Sequence, residues 1–188
     1  MKILQVITRS ELGGAQTVVV QLANRLSDKH DVVLVAGEGD GKMWEMVSPR
    51  VTCVRSRYLQ RALSPVKDIR AALELRRIYR KHRPDVIHLH SSKAGTLGRL
   101  VFPTKKVVYT VHGFDSIRLA FRKFLPVERI LQRACSAIVA VSNYDEKNLR
   151  EEGITRNVTT VYNGIAKPDC DAVERLSIAN NYKKIVLS

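Results

Sequence analysis

Several short apolar runs in this 188-residue sequence end in residues able to hold a ligand. The run at 3–7 leads into Thr8-Arg9-Ser10-Glu11-Leu12-Gly13-Gly14-Ala15. Adjacent glycines let backbone N–H groups approach a ligand without a Cβ in the way. A helix starting there adds unpaired N–H groups and the positive end of its dipole, which together suit a diphosphate. From this segment alone, an ordinary glycine turn reads equally well. The dinucleotide fingerprint G-x-G-x-x-G is not met, because the third glycine is missing and the loop is long. Glu38 and Asp40 do follow the next run, so an NAD(P)-dependent enzyme stays open as an alternative.

The run at 86–89 ends in His88-Leu89-His90-Ser91-Ser92-Lys93-Ala94-Gly95. In a strand, His88 and His90 share a face. Two histidines with no third ligand at suitable spacing make a poor metal site. Lys93 suits an anionic or hydroxyl-rich ligand, and equally plain solvent. The run at 107–111 ends in His112-Gly113-Phe114. A histidine at a strand tip can donate a hydrogen bond to a hydroxyl, or exchange a proton near neutral pH. Ser142-Asn143 and Tyr162-Asn163-Gly164 read as caps and turns. Asp169-Cys170-Asp171 has the D-x-D spelling that holds a divalent metal against a nucleotide diphosphate. It lies in an irregular stretch away from the apolar runs and is read as coincidence.

The elements that must position these residues follow from the pattern. Apolar runs rich in valine and isoleucine fall at 3–7, 32–35, 51–54, 86–89, 107–111, 138–141 and 158–161. They are nearly continuous rather than alternating, as a strand covered on both faces requires. Helical patterns fall at 15–26, 66–79, 126–134 and 143–152. Ser142 stands at an N-cap position with Asp145 and Glu146 in the first turn, where the dipole favours negative charge. Gly153 is placed to end that helix. The alternation predicts an α/β fold, a Rossmann-like doubly wound parallel sheet of about seven strands with helices on both faces. Residues 163–179 are irregular, and 183–188 begin a further apolar run. The expected organisation is one domain over residues 1–165, then a linker and the first strand of an absent second domain over 166–188.

Composition narrows the class. Hydrophobic residues make up 45% and charged residues 27% of the chain, the balance of a globular protein. No apolar run approaches the ~20 residues that span a bilayer. The N-terminus reaches Arg9, Ser10 and Glu11 before any leader-like apolar region, so a cytoplasmic location is expected. The sequon at Asn157 is then silent. Cys53, Cys135 and Cys170 are odd in number and widely spaced, and read as reduced packing cysteines. The net charge of +14 is concentrated. Residues 55–83 hold ten Lys/Arg against two acids, and residues 118–133 hold five against one. Such patches attract nucleic acid, anionic membranes or phosphorylated ligands.

Five segments in order carry a resemblance. They are Glu11-Leu12-Gly13-Gly14-Ala15-Gln16, His88 to Gly95 with Gly98-Arg99, Tyr109-Thr110-Val111-His112-Gly113-Phe114, Ala140-Val141-Ser142, and Val161-Tyr162-Asn163-Gly164-Ile165. With them the chain resembles the N-terminal, acceptor-side domain of retaining GT-B glycosyltransferases of family 4. The wording is closest to members that build bacterial capsule, exopolysaccharide or lipopolysaccharide. The resemblance implies a nucleotide-sugar donor, a glycan or lipid-linked acceptor, retention of configuration, and no metal or other cofactor. It implies that Gly13 and Gly14 meet the donor diphosphate, that His112 bonds the donor sugar and is the catalytic residue, and that His90, Lys93 and Phe114 line the acceptor pocket. The donor half of such an enzyme is absent here, so these residues alone are expected to be inactive. The basic stretch at 118–133, with Phe121, Phe124, Leu125, Ile130 and Leu131 among its charges, suits peripheral contact with an anionic membrane. A basic nucleic-acid-binding or regulatory module is the alternative; it accounts for the charge but not for the ordered motifs, and no nucleic-acid partner is expected.

Overall fold

The computed structural model describes residues 1–164. The D-x-D triplet, Cys170, the expected linker and the terminal apolar run lie outside the described residues. Seven parallel strands form one sheet: β1 (Lys2–Ile7), β2 (Asp31–Ala36), β3 (Thr52–Arg55), β4 (Val86–His90), β5 (Val107–Val111), β6 (Ala137–Ala140) and β7 (Val158–Thr160). Their spatial order is β3-β2-β1-β4-β5-β6-β7. The chain therefore winds outward from β1 on one side and returns to β4 to wind out on the other. The β1/β4 junction is the switch point at which ligands bind in open parallel sheets.

Five α-helices connect the strands: α1 (Gly14–Leu26), α2 (Pro65–His82), α3 (Ser92–Val101), α4 (Leu125–Leu131) and α5 (Asn143–Glu151). Ser142 caps α5 as expected, its Oγ accepting from the Asp145 N–H at 3.1 Å. Gly153 follows that helix at φ 80°, a left-handed conformation that glycine adopts without strain. Helix α3 falls where no helical pattern was read, and it contains Gly95 and Gly98, which weaken helix propensity. Packing explains it. A Cβ on Gly98 would stand 2.6 Å from Leu89, and one on Gly95 would overlap the Tyr109 ring, so both glycines let α3 lie flat on β4 and β5. The expected helix at 126–134 is shorter, ending at Leu131 in a 3-10 turn.

The two faces of the sheet are covered unequally. Helix α1 packs Val19, Val20 and Ala23 on Ile7, Val32, Leu34 and Ala36. The larger core lies on the other face, where Ala71 and Leu75 of α2, Ala94 and Leu97 of α3, Leu125 of α4 and Leu149 of α5 meet Leu4, Val6, Ile87, Leu89, Tyr109 and Ile138. On the α1 side of β4–β6, His88, Val108, Ala137 and Val139 remain half-buried. Full helical cover on both faces therefore holds for β1 and β2, and β4–β6 carry it on one face among the described residues. Cys135 is buried, but Cys53 is exposed on the edge strand β3, which corrects its expected packing role.

Candidate active site

The β1 tip and the β4 tip are tied together by hydroxyls. Thr8 Oγ1 lies 2.7 Å from Ser91 Oγ, and the Thr8 N–H donates to the same Ser91 oxygen at 3.2 Å. Thr8 Oγ1 also accepts the Ala94 N–H, the first turn of α3, at 3.2 Å. Ser91 holds φ 71° and ψ 150°, a region that non-glycine residues rarely occupy. The loops after β1 and β4 are thereby fixed beside each other at the switch point.

On the β1 side, Gly13 and Gly14 are exposed, and Gly14 opens α1. A Cβ on Gly14 would meet nothing within 4 Å, whereas one on Gly13 would stand 2.9 Å from Gln16 Oε1, so the open space lies beside Gly14. No side chain caps the first turn of α1, which leaves its N–H groups without a side-chain acceptor. Such groups at a helix N-terminus are able to meet an anion.

On the β4/β5 side three histidines form a stack. The His88 and His90 rings lie 4.0 Å apart, and His90 and His112 lie 5.4 Å apart by ring centroid. His90 Nδ1 is 3.1 Å from His112 Nε2, and His88 Nε2 is 2.7 Å from Thr110 Oγ1. Burial pulls the His88 pKa down to about 4, with the neighbouring His112 adding to the effect. His90 is driven well below the ordinary histidine value by burial and by its two ring neighbours. His112 is lowered by burial too, with Asp145 pulling the other way. All three are neutral at physiological pH. His112 is half-buried at the tip of β5, and Gly113 turns the chain away at φ 80°.

Other expected site residues are placed differently. His90 is 1% exposed and sits behind His112, so its ring contacts His112 instead of lining an open pocket. Phe114 is 1% exposed and belongs to the core. Its backbone N–H, not its ring, takes part in the edge, donating to Asp145 Oδ1 at 2.8 Å. Lys93 is drawn back onto α2, where its Nζ pairs with Asp68 at 2.6 Å and bonds the Ala62 carbonyl. Among the described residues no cluster of three or more His, Cys, Asp or Glu is arranged to hold a metal.

Residues that the motifs did not single out complete the edge. Asp145 accepts from both Phe114 and Ser142, joining the β5 turn to the cap of α5. Gln5 pairs in register with His88, is fully buried, and has no partner for either amide atom. A glutamine inside an otherwise apolar strand, with His88 and His90 on one face of another, was the signal in the sequence for such a polar layer.

The sequence model of glycosyltransferase family 4 matches residues 12–167. The chain belongs to glycosyltransferase family 4. Its curated family relatives include a 41.2 kDa protein of the cps region in Klebsiella pneumoniae, 28% identical over 93% of this chain and 50% of that protein. Another is the Escherichia coli UDP-Gal:α-D-GlcNAc-diphosphoundecaprenol α-1,3-galactosyltransferase, 27% identical over 78% of this chain and 40% of the enzyme. This family-4 chain thus spans about half the length of the curated relatives it matches. Among solved structures, Anabaena HepE, in complex with UDP and glucose, superposes with a TM-score of 0.69 at 20% identity, covering 88% of this chain and 45% of HepE. A Rickettsia africae glycosyltransferase gives 0.68 at 21%, covering 87% and 43%. The fold is that of one half of a GT-B glycosyltransferase.

Proposed function

We propose that this family-4 chain is the acceptor-side half of an enzyme that transfers a sugar, with retention, from a nucleotide-sugar to a glycan or lipid-linked acceptor in bacterial surface-polysaccharide synthesis. The observation that carries the reading is that the open glycine turn of α1 and the neutral His112 flank one switch point at one edge of one sheet. As the bond from the sugar to the diphosphate breaks, negative charge grows on the leaving oxygen. Backbone N–H groups at Gly13, Gly14 and the α1 N-terminus are aimed at such charge without needing to reorganise. A neutral His112 offers a hydrogen bond to a sugar hydroxyl beside it. The reading calls for no metal, since backbone donors supply the compensation for charge. The UDP in the HepE complex and the UDP-Gal and diphosphoundecaprenol in the name of the E. coli relative support the choice of donor and acceptor class.

A peripheral position on the cytoplasmic side of the membrane fits the same reading, and α2 suits the contact better than residues 118–133. In the latter, Arg118 pairs with Asp115, and Arg122 and Arg129 pair with Glu152. In α2 both acids turn inward, Asp68 to Lys93 and Glu74 to Ser56 and the Arg57 N–H. Its outer face shows Val66, Ile69 and Leu73 toward the cleft end and Arg76, Arg77 and Arg80 toward the other. An exposed apolar stripe beside arginines that pair with no acid among the described residues is complementary to an anionic bilayer. No described helix is long and apolar enough to cross a membrane.

The test is titration of the 15N-labelled chain with UDP, UDP-sugars and NAD. Shifts of the Gly13, Gly14 and Gly113 amides with UDP compounds support the reading. Stronger shifts with NAD at the same amides, or none with UDP compounds at millimolar concentration, overturn it. Sugar transfer by these 188 residues alone would remove the expectation that the chain is inactive without a donor half.

A further inference from the structure

We propose that His90 is a positioning residue that holds His112 as the tautomer protonated on Nδ1, so that His112 meets the cleft as a hydrogen-bond donor and not as a base. The argument begins with a proton count. His90 Nδ1 and His112 Nε2 are 3.1 Å apart, and two neutral rings can place only one proton between them. That proton belongs either to His112 or to His90.

If it belongs to His112, then His90 Nδ1 is the bare acceptor and His90 must carry its own proton on Nε2. That nitrogen is buried and has no hydrogen-bond partner among the described residues. A buried N–H without an acceptor is among the least tolerated groups in a protein interior. If the proton belongs to His90 Nδ1, the buried Nε2 keeps only a lone pair, which is the milder vacancy. His90 then donates, His112 Nε2 accepts, and His112 must carry its proton on Nδ1.

The surroundings hold His90 in this role. Its ring lies against His88 at 4.0 Å, and His88 is itself anchored to Thr110 at 2.7 Å. Neither ring can turn over without breaking a contact inside the sheet. Asp145, whose charge acts on His112, accepts from the Phe114 N–H and the Ser142 hydroxyl. Among the described residues His112 hydrogen-bonds only to His90, through Nε2, which leaves its Nδ1 for a ligand. The consequence for sugar transfer rests on the function proposed above: a Nδ1–H group donates to a sugar oxygen and takes no proton from the acceptor. The tautomer itself does not depend on that reading.

The experiment is a long-range 1H–15N correlation spectrum of the chain labelled on its histidine rings, recorded at neutral pH. A His112→Gln variant assigns the His112 signals by their loss. Free histidine favours the Nε2–H form, so the expected result departs from the default: bare Nε2 and protonated Nδ1 for both His90 and His112. His90→Leu removes the donor and is expected to shift His112 to the Nε2–H form. A wild-type spectrum with His112 protonated on Nε2 overturns the proposal, even if the leucine variant does not fold. So does a leucine variant that folds and keeps Nδ1–H. None of these readings involves a sugar, so their failure leaves the proposed transfer reaction standing, and failure of the UDP titration leaves the tautomer standing.

Discussion

Arg99 and Glu128 form an ion pair inside the protein, joining α3 to α4. One Arg99 terminal nitrogen reaches both carboxylate oxygens, at 2.8 and 2.7 Å, and the side chains are 0% and 6% exposed. The Arg99 Nε also donates to the Gly95 carbonyl at 2.9 Å, and the guanidinium lies 4.3 Å from the centre of the Tyr109 ring. Removing Arg99 alone leaves a carboxylate buried without its cation. Arg99→Leu is expected to destabilise the chain by about 3–5 kcal/mol. The double change Arg99→Leu with Glu128→Leu is expected to cost less than Arg99→Leu alone. Urea unfolding of the three proteins measures both; a double variant no better than the single one contradicts the account.

The open space above Gly14 separates binding from folding. Nothing stands where its Cβ would be, and glycine is not required by φ at this position. Gly14→Val should leave the thermal midpoint nearly unchanged. It should weaken the UDP-dependent amide shifts at least tenfold, because the branched side chain fills the cradle. Thermal melts and the titration, run on the same sample, check both halves of this expectation.

Acid should loosen the fold through the histidine stack. The folded state holds His88, His90 and His112 neutral by burial, whereas the unfolded chain takes up protons near the ordinary value of 6.5. The unfolded state then binds more protons, so stability rises with pH in this window. The contribution is complete above about pH 6.5 and is lost as pH falls toward about 4, where His88 itself titrates. Each histidine adds a slope of about 1.4 kcal/mol per pH unit while only the unfolded chain is protonated. Urea midpoints at pH 7.5 and pH 5 should differ clearly, and His90→Asn should flatten the difference.

Ser91 combines backbone strain with useful hydrogen bonds. Its φ of 71° is unfavourable for any residue with a Cβ, and its hydroxyl binds Thr8. Ser91→Ala keeps the strain and loses the bonds. Ser91→Gly loses both. The glycine variant is therefore expected to be more stable than the alanine variant by about 1 kcal/mol or more. Equal stabilities would mean that the conformation carries no strain.

The α2 face predicts selective lipid binding. The chain should sediment with vesicles containing phosphatidylglycerol and not with pure phosphatidylcholine, and high salt should release it. Ile69→Asp with Leu73→Asp, both on the outer face, should abolish sedimentation without lowering the melting temperature. Equal binding to neutral and anionic vesicles would remove the membrane reading, and salt-sensitive binding to RNA or DNA instead would favour a nucleic-acid partner.

The inner strands were legible because their runs, rich in Val, Ile and Leu, fill buried positions and are bounded by polar residues, while the edge strands β3 and β7 have shorter mixed runs that are less buried. The cap at Ser142 and the stop at Gly153 were legible for the same reason: both are local, set by residues within one helical turn. Helix α3 was not, since its two glycines give it little local propensity and their fit against Tyr109 and Leu89 is made only by packing.

What this sequence determined by itself was the alternation of strand and helix, the residues at the strand tips, and the family. Tertiary structure alone decided which tips are neighbours. The order that sets β1 beside β4 brings Thr8 to Ser91 across 83 positions, and the β4–β5 pairing brings His90 to His112 across 22. The same packing sends the Phe114 ring into the core and Lys93 back to Asp68. Local composition specifies where a strand lies because burial of its own side chains stabilises it. Contacts between distant tips depend on how whole elements pack, and no short segment of sequence encodes that.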